Sequence, residues 1–162
     1  NNLITATGTI KENLKTWLNN YKMINDTIDL LDAQIINIGI NFSLVGERNV
    51  DPTDLLLSCR SQLTQLYAEK FNIGEPLNIA EVYQTLNRVE GVIDTTDVTI
   101  VKKTGTNYAD TKYNVDEHMS EDGRLLFVPQ DTILEIKFMA SDIVGDVIGK
   151  NVDAFKSGGG TT

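Results

Sequence analysis

The sequence predicts an α+β domain, in which a mixed or antiparallel sheet of about five strands carries three helices packed mainly on one face. Capped apolar stripes at helical spacing occur beside runs in which apolar and polar residues alternate. Neither a regular βαβ alternation nor a repeat of about 20 to 50 residues is present. The 162 residues, 41% of them hydrophobic, suffice for one core, and we expect a single domain over residues 1–156.

The first predicted helix spans about residues 9–22. Thr9 and Glu12 have the spacing of a capping box, in which each side chain accepts a hydrogen bond from a free backbone N–H group. An apolar stripe at helical spacing follows, made of Ile10, Leu14, Trp17, Leu18 and Tyr21. This stripe predicts a helix with one buried face.

An extended region comes next. Ile28 and Leu30 alternate with polar neighbours and predict a first short strand. The clearest strand pattern covers 35–45, where the apolar residues at every second position are Ile36, Ile38, Ile40, Phe42 and Leu44. The opposite side chains of this strand are small and uncharged, so that face can meet either water or a partner.

Two more helices are predicted in the middle of the chain. Asp51 is a good N-cap and Pro52 suits the first helical position, so a helix should begin there and continue to about Phe71. Asn78 opens the third helix, which Gly91 ends.

The remaining pattern is mostly that of strands. We expect one strand at about 92–103 and a hairpin that joins 125–128 to 133–138. Residues 104–123 lack periodicity, and a loop of that length within a domain is usually functional or disordered.

Charge excludes some classes of partner. With 14 basic and 23 acidic residues the net charge is −9, which disfavours binding to nucleic acids and to anionic membranes. No apolar run approaches the roughly 18 residues of a membrane span, and no basic segment followed by an apolar one resembles a secretory signal. The chain begins with Asn1 instead of Met, so we expect a fragment or a processed product, and the tail 157–162 reads as flexible.

Candidates for catalysis are weak. His118 lies in a polar loop, where a solvated histidine is the default, and Cys59 lies on the apolar face of a predicted helix. One cysteine and one histidine cannot form a disulfide or a His/Cys zinc site. We therefore expect no catalytic residues.

Ligand motifs are equally weak. The acidic residues between 110 and 122 suggest calcium, but Lys112 stands where a hand-type loop needs a ligand. Gly145 and Gly149 match neither the phosphate-binding loop nor the dinucleotide fingerprint. We expect no metal and no cofactor, with a hydrated acidic loop as the simplest interpretation.

Six residues are candidates for a protein interface. Aromatic residues are favoured at interfaces, and one apolar face would form near the end of the chain if that segment were helical. The candidates are Tyr108, Tyr113, Ile143, Val144, Val147 and Ile148. The alternative is that the terminal segment closes its own domain.

Three stretches together resemble a known family: Val50–Leu55, Ile73–Asp94 and Leu134–Phe138. They are similar to the C-terminal part of the baseplate J-like family of contractile-tailed phages, and most similar to the inner-ring wedge proteins of T-even-type myoviruses. The resemblance covers most of residues 8–150. Its motifs are packing and turn signatures, and they include no active site.

The resemblance implies a virion structural protein of the tail baseplate, assembled in the host cytoplasm. It implies contacts with a second copy, as a homodimer or ring, and with other wedge proteins. Two alternatives remain open at this point: a monomeric adaptor that binds proteins through a sheet edge, and a hydrolase module that uses the acidic loop.

Overall fold

A computed structural model describes residues 3–69 and 71–148; Gly149 and the predicted tail at 157–162 lie outside the described residues. Helices and strands follow in the order α1 (Gly8–Asn19), β1 (Gln34–Gly46), α2 (Pro52–Leu66), β2 (Leu77–Asn78), α3 (Ile79–Asn87), β3 (Val92–Lys102), α4 (Val115–His118), β4 (Leu125–Leu126), β5 (Thr132–Glu135), α5 (Met139–Asp142) and β6 (Ile143–Val147).

The main sheet is built around β1. On one side β1 pairs with β3 in antiparallel fashion. On the other side it pairs in parallel with two short strands, first β5 beside Gln34–Asn37 and then β6 beside Ile40–Leu44. A separate two-stranded sheet joins β2 and β4. The predicted α+β class with a mixed sheet is therefore confirmed.

Alternation along β1 decides where the core lies. The side chains of Ile36, Ile38, Ile40, Phe42 and Leu44 are all buried on one face. They belong to one cluster with the buried residues of α2 and α3, namely Leu55, Cys59, Leu63, Ile79, Val82 and Leu86. We call the face of the sheet that carries these buried side chains of β1 the inner face, and the opposite face the outer face.

The starts of α2 and α3 follow the predicted capping chemistry. The Asp51 carboxylate accepts hydrogen bonds from the backbone N–H groups of Thr53 and Asp54, at 2.8 and 3.2 Å. The Asn78 side-chain oxygen accepts one from the Ala80 N–H group. The end of α2 differs from the prediction, because the helix stops at Leu66 instead of continuing to Phe71.

Two strand predictions were wrong. Ile28 and Leu30 lie in irregular chain outside the strands. Residues 125–128 and 133–138 do not form a hairpin, because β4 pairs with β2 whereas β5 pairs with β1. Alternation identifies the buried face of a strand, but it carries no information about which strand lies beside it.

The structure differs from the helical patterns in two places. The segment 143–148, whose apolar residues would share one face if it were helical, contains β6, and its β-branched residues fill the edge of β1 left open beyond β5. The first helix forms but has no buried residue, so it does not pack on the sheet with α2 and α3. Among the described residues, no helix has both the length and the apolar character that crossing a membrane requires.

Candidate functional site

The most unusual surface of the described chain is the apolar side of α1. Ile10 and Trp17 are more than half exposed, and Leu14 is 44% exposed. The Trp17 ring packs against Tyr21, with ring centroids 4.7 Å apart, and Tyr21 is itself largely exposed. Large apolar side chains that are grouped on a surface indicate a site of protein contact.

Two contacts attach the N-terminal segment to the rest of the domain. The Lys11 ammonium group pairs with the Asp32 carboxylate, just before β1 begins. The Leu3 backbone N–H donates a hydrogen bond of 2.5 Å to the Glu135 carboxylate at the end of β5. Both attachments lie near the first residues of β1.

Around those first residues, the outer face of the sheet is covered by a buried polar cluster. Asn37 and Asp142 are 1% and 0% exposed. The Asn37 side chain donates a hydrogen bond to Glu135 and accepts one from the Ala109 N–H. Asp142 accepts hydrogen bonds from the Tyr108 hydroxyl and the Phe138 N–H, at 2.7 and 2.9 Å. These bonds fix the start of the long loop over the sheet.

Gly39 allows that cover to lie close to the strand. A Cβ atom at this position would come within 2.3 Å of the Lys103 side chain and 2.8 Å of the Asp142 carbonyl oxygen. The Lys103 ammonium group lies 3.8 Å from the Asp142 carboxylate, which partly compensates that buried charge.

Further along β1 the same outer face is uncovered. Register places Asn41 beside Thr99 and Val144, and Ser43 beside Asp97 and Asp146. We call this surface the open sheet face, and its members are Asn41, Ser43, Val45, Asp94, Asp97, Thr99, Val144, Asp146 and Ile148. Most of these side chains are exposed, and they combine three aliphatic groups with three carboxylates.

The two candidate tyrosines hold the long loop to its own domain. The Tyr108 hydroxyl is bonded to Asp142, and this hydrogen bond to a carboxylate raises the pKa of Tyr108. The Tyr113 hydroxyl donates to the Phe127 carbonyl at 2.6 Å, and burial raises the pKa of Tyr113 to about 12. Both rings are partly exposed, but their polar ends are occupied within the chain.

The four aliphatic candidates divide between the two faces of β6. Ile143 is fully buried in the core, so its side chain offers nothing to a partner. Val147 faces inwards and is partly buried. Val144 and Ile148 are about half exposed and belong to the open sheet face. The sequence analysis placed all four on one surface only if the segment were helical, and as a strand it divides them between two faces.

Cys59 and His118 lie in different surroundings. Cys59 is completely buried in α2, and burial raises the pKa of its thiol to about 11, which disfavours the nucleophilic thiolate. The His118 ring stacks on Tyr113 at 4.5 Å, and its Nδ1 atom lies 2.8 Å from the Asn114 carbonyl oxygen. Each residue has a structural role in this arrangement.

Two acidic side chains of the long loop, those of Glu117 and Asp122, accept local hydrogen bonds. Ser120 donates to Asp122, and the Arg124 N–H donates to the same carboxylate, which lowers the pKa of Asp122. Asn114 caps α4 and also donates to Glu117. In residues 3–69 and 71–148, no group of three His, Cys, Asp or Glu side chains is arranged to hold a metal ion.

The described surface also has concave regions. A cleft of about 580 Å³ lies between α2 and the end of α3, with Arg88 and Glu90 on its border. A smaller one of about 230 Å³ is lined by Tyr67, Phe71 and Glu135. The Tyr67 hydroxyl is buried and has no hydrogen-bond partner among the described residues, and burial raises its pKa.

The sequence reasoning missed the polar cluster, and of the open sheet face it identified the uncharged side of β1 but not the aspartates beside it. Asn37 could have drawn attention, because an amide at an alternate position of a strong strand often signals a buried hydrogen bond. Its partners Glu135 and Ala109 are 98 and 72 residues away along the chain, and local patterns do not connect them.

Comparisons with known proteins add no relationship. The sequence matches no protein-family model, and no curated protein is significantly similar to it.

Proposed function

We propose that this chain is a structural subunit of a phage tail baseplate, which acts by binding a second copy of itself and neighbouring baseplate proteins. The proposal combines two arguments: the resemblance of three stretches to baseplate J-like proteins, and the exposed apolar side of α1. The second argument is physical and comes from the fold.

The exposed side of α1 is the observation that carries the proposal. A short isolated helix is marginal in water, since most helical stability in proteins comes from packing an apolar face. The α1 stripe has its apolar side chains in place, yet none is buried in the domain. Association with another protein surface would bury Ile10, Leu14 and Trp17 and stabilise the helix.

Sedimentation velocity of the full chain tests the self-association. We expect a concentration-dependent dimer or ring, which the substitution Trp17→Ser weakens because it removes the largest apolar group of the stripe. Leu57→Ser is the matched control, since Leu57 on α2 has the same 56% exposure as Trp17. A chain that stays monomeric at every accessible concentration would contradict the proposal.

The location in a baseplate needs a separate measurement. Antibodies against this chain, labelled with gold, should bind contractile-tailed particles from the organism that encodes it, at the baseplate end of the tail. Self-association without any label on tail structures would favour an adaptor that binds proteins elsewhere.

A further inference from the structure

The chemistry of α1 is asymmetric around its axis. Its apolar stripe is bordered on one side by Lys11 and Lys15, which stand four residues apart and therefore lie on the same side of the helix. The other border carries uncharged side chains, among them Asn13. The helix thus presents apolar groups with a basic border.

The open sheet face has the complementary chemistry. Val45, Val144 and Ile148 supply apolar groups, while Asp94, Asp97 and Asp146 supply carboxylates on the same face. Within the described part of the chain none of these three aspartates forms an ion pair. Outside α1 the chain has 12 basic and 22 acidic residues, so a basic helix is attracted to this domain.

We propose that α1 of one copy packs on the open sheet face of a second copy, with its lysine border towards the aspartates. This inference rests on the proposed self-association and names the two surfaces that meet. A helix on the outer face would complete a second layer there, as α2 and α3 do on the inner face.

A second copy is favoured over the helix's own domain because of where α1 is attached. The Lys11–Asp32 pair and the Leu3–Glu135 hydrogen bond hold the N-terminal segment near Gln34 and Asn37. Ser43 lies about 30 Å further along β1 than Gln34, whereas α1 is only about 18 Å long. The helix cannot cover its own open face while those attachments persist.

Most homodimers have twofold symmetry, and a dimer in which each copy binds the α1 helix of the other has this symmetry. If each copy gives α1 and receives the partner's α1, the same pair of surfaces is buried twice. One helix–sheet contact is smaller than a standard interface of about 800 Å² on each partner, and the second contact makes up the difference.

Charge-reversal variants, studied by analytical ultracentrifugation, test whether the lysine border of α1 meets the aspartates of the open sheet face. The variant K11E/K15E and the variant D94K/D146K should each weaken self-association about tenfold, because each places like charges opposite one another. The four substitutions combined should restore it. The matched control K112E/R124E reverses two exposed basic side chains outside both surfaces, so it should have little effect on self-association.

Disulfide cross-linking shows whether α1 covers the open sheet face of a second copy or that of its own chain. When the single variants Asn13→Cys and Asn41→Cys are mixed, oxidation should join them into a covalent dimer, since Asn13 borders the apolar stripe of α1, and the buried Cys59 should remain unreacted. A cross-link formed only within single chains of the Asn13→Cys/Asn41→Cys double variant would overturn the inference. So would a wild-type oligomer that D94K/D146K leaves unchanged, although self-association itself would then stand. A wild-type chain that never associates would overturn both proposals.

Discussion

The side-chain amide of Asn37 donates a hydrogen bond of 2.8 Å to the carboxylate of Glu135, and both residues are almost completely buried on the outer face of the sheet. The same Asn37 side chain accepts from the Ala109 N–H, and the same Glu135 carboxylate accepts from Leu3. One side-chain pair therefore ties β1, β5, the long loop and the N-terminal segment together.

Asn37→Leu should destabilise the domain by about 2–4 kcal/mol, because it leaves the buried Glu135 carboxylate and the Ala109 N–H without this partner. Denaturant unfolding measures the loss. The double variant Asn37→Leu/Glu135→Leu is the matched control, since it also removes the buried charge and should recover part of the stability. A single variant as stable as wild type would mean that the cluster contributes little.

Gly145→Ala should destabilise the domain by about 1–3 kcal/mol, the usual effect of overpacking a core. A Cβ atom at Gly145 would come within 2.3 Å of the Phe42 ring and 2.8 Å of Leu56, so β6 or α2 would have to shift. Thermal unfolding followed by circular dichroism measures the change. Gly8→Ala is the control, because nothing lies within 4 Å of that position, and it should leave stability equal or higher.

The Cys59 thiol should resist labelling in the folded protein, since it is fully buried and its pKa is raised to about 11. Labelling with a thiol reagent at neutral pH should become fast only where denaturant unfolds the chain. Ser58→Cys in a Cys59→Ala background is the exposed control and should react at once. Because the folded pKa lies above its ordinary value of 9.0, this group's contribution to stability is complete below pH 9 and is lost as pH rises to about 11. Rapid labelling of native wild type would contradict the burial.

The Asp51 cap should give α2 a pH dependence at the acid end. Hydrogen bonds from the backbone N–H groups of Asp54 and Thr53 lower the pKa of Asp51 below its ordinary value of 3.8. The contribution is therefore complete above that value and is lost as the pH falls through the lowered pKa. Asp51→Ala should lower the melting temperature at neutral pH, whereas Asp51→Asn should keep most of the cap and lose the acid dependence. Identical acid profiles for wild type and Asp51→Asn would rule out this role.

Local patterns predicted the parts of the fold that depend on neighbouring residues. The alternation from Ile36 to Leu44 indicated the buried face of β1, and the caps at Asp51 and Asn78 marked the starts of α2 and α3. These features follow from the strand and helix periods and from capping, and all of these act over a few residues.

The residues predicted for an interface differ in their exposure. Val144 and Ile148 are exposed, as an interface residue must be, but Ile143 is in the core. A short run of β-branched residues fits a helix or a strand equally well until its neighbours are known. Here the segment that starts at Ile143 forms a strand because β1 has a free edge beyond β5, and that edge exists only after the sheet has formed.

The sequence by itself determined the α+β class, the inward face of the central strand and the acidic charge of the surface. Only the tertiary structure decided that the α1 stripe lies outside the core, that Asn37 meets Glu135, and that part of the outer sheet face is uncovered. The physical reason is range: periodicity and capping act between residues close along the chain, whereas strand partners and buried polar pairs join residues far apart in sequence.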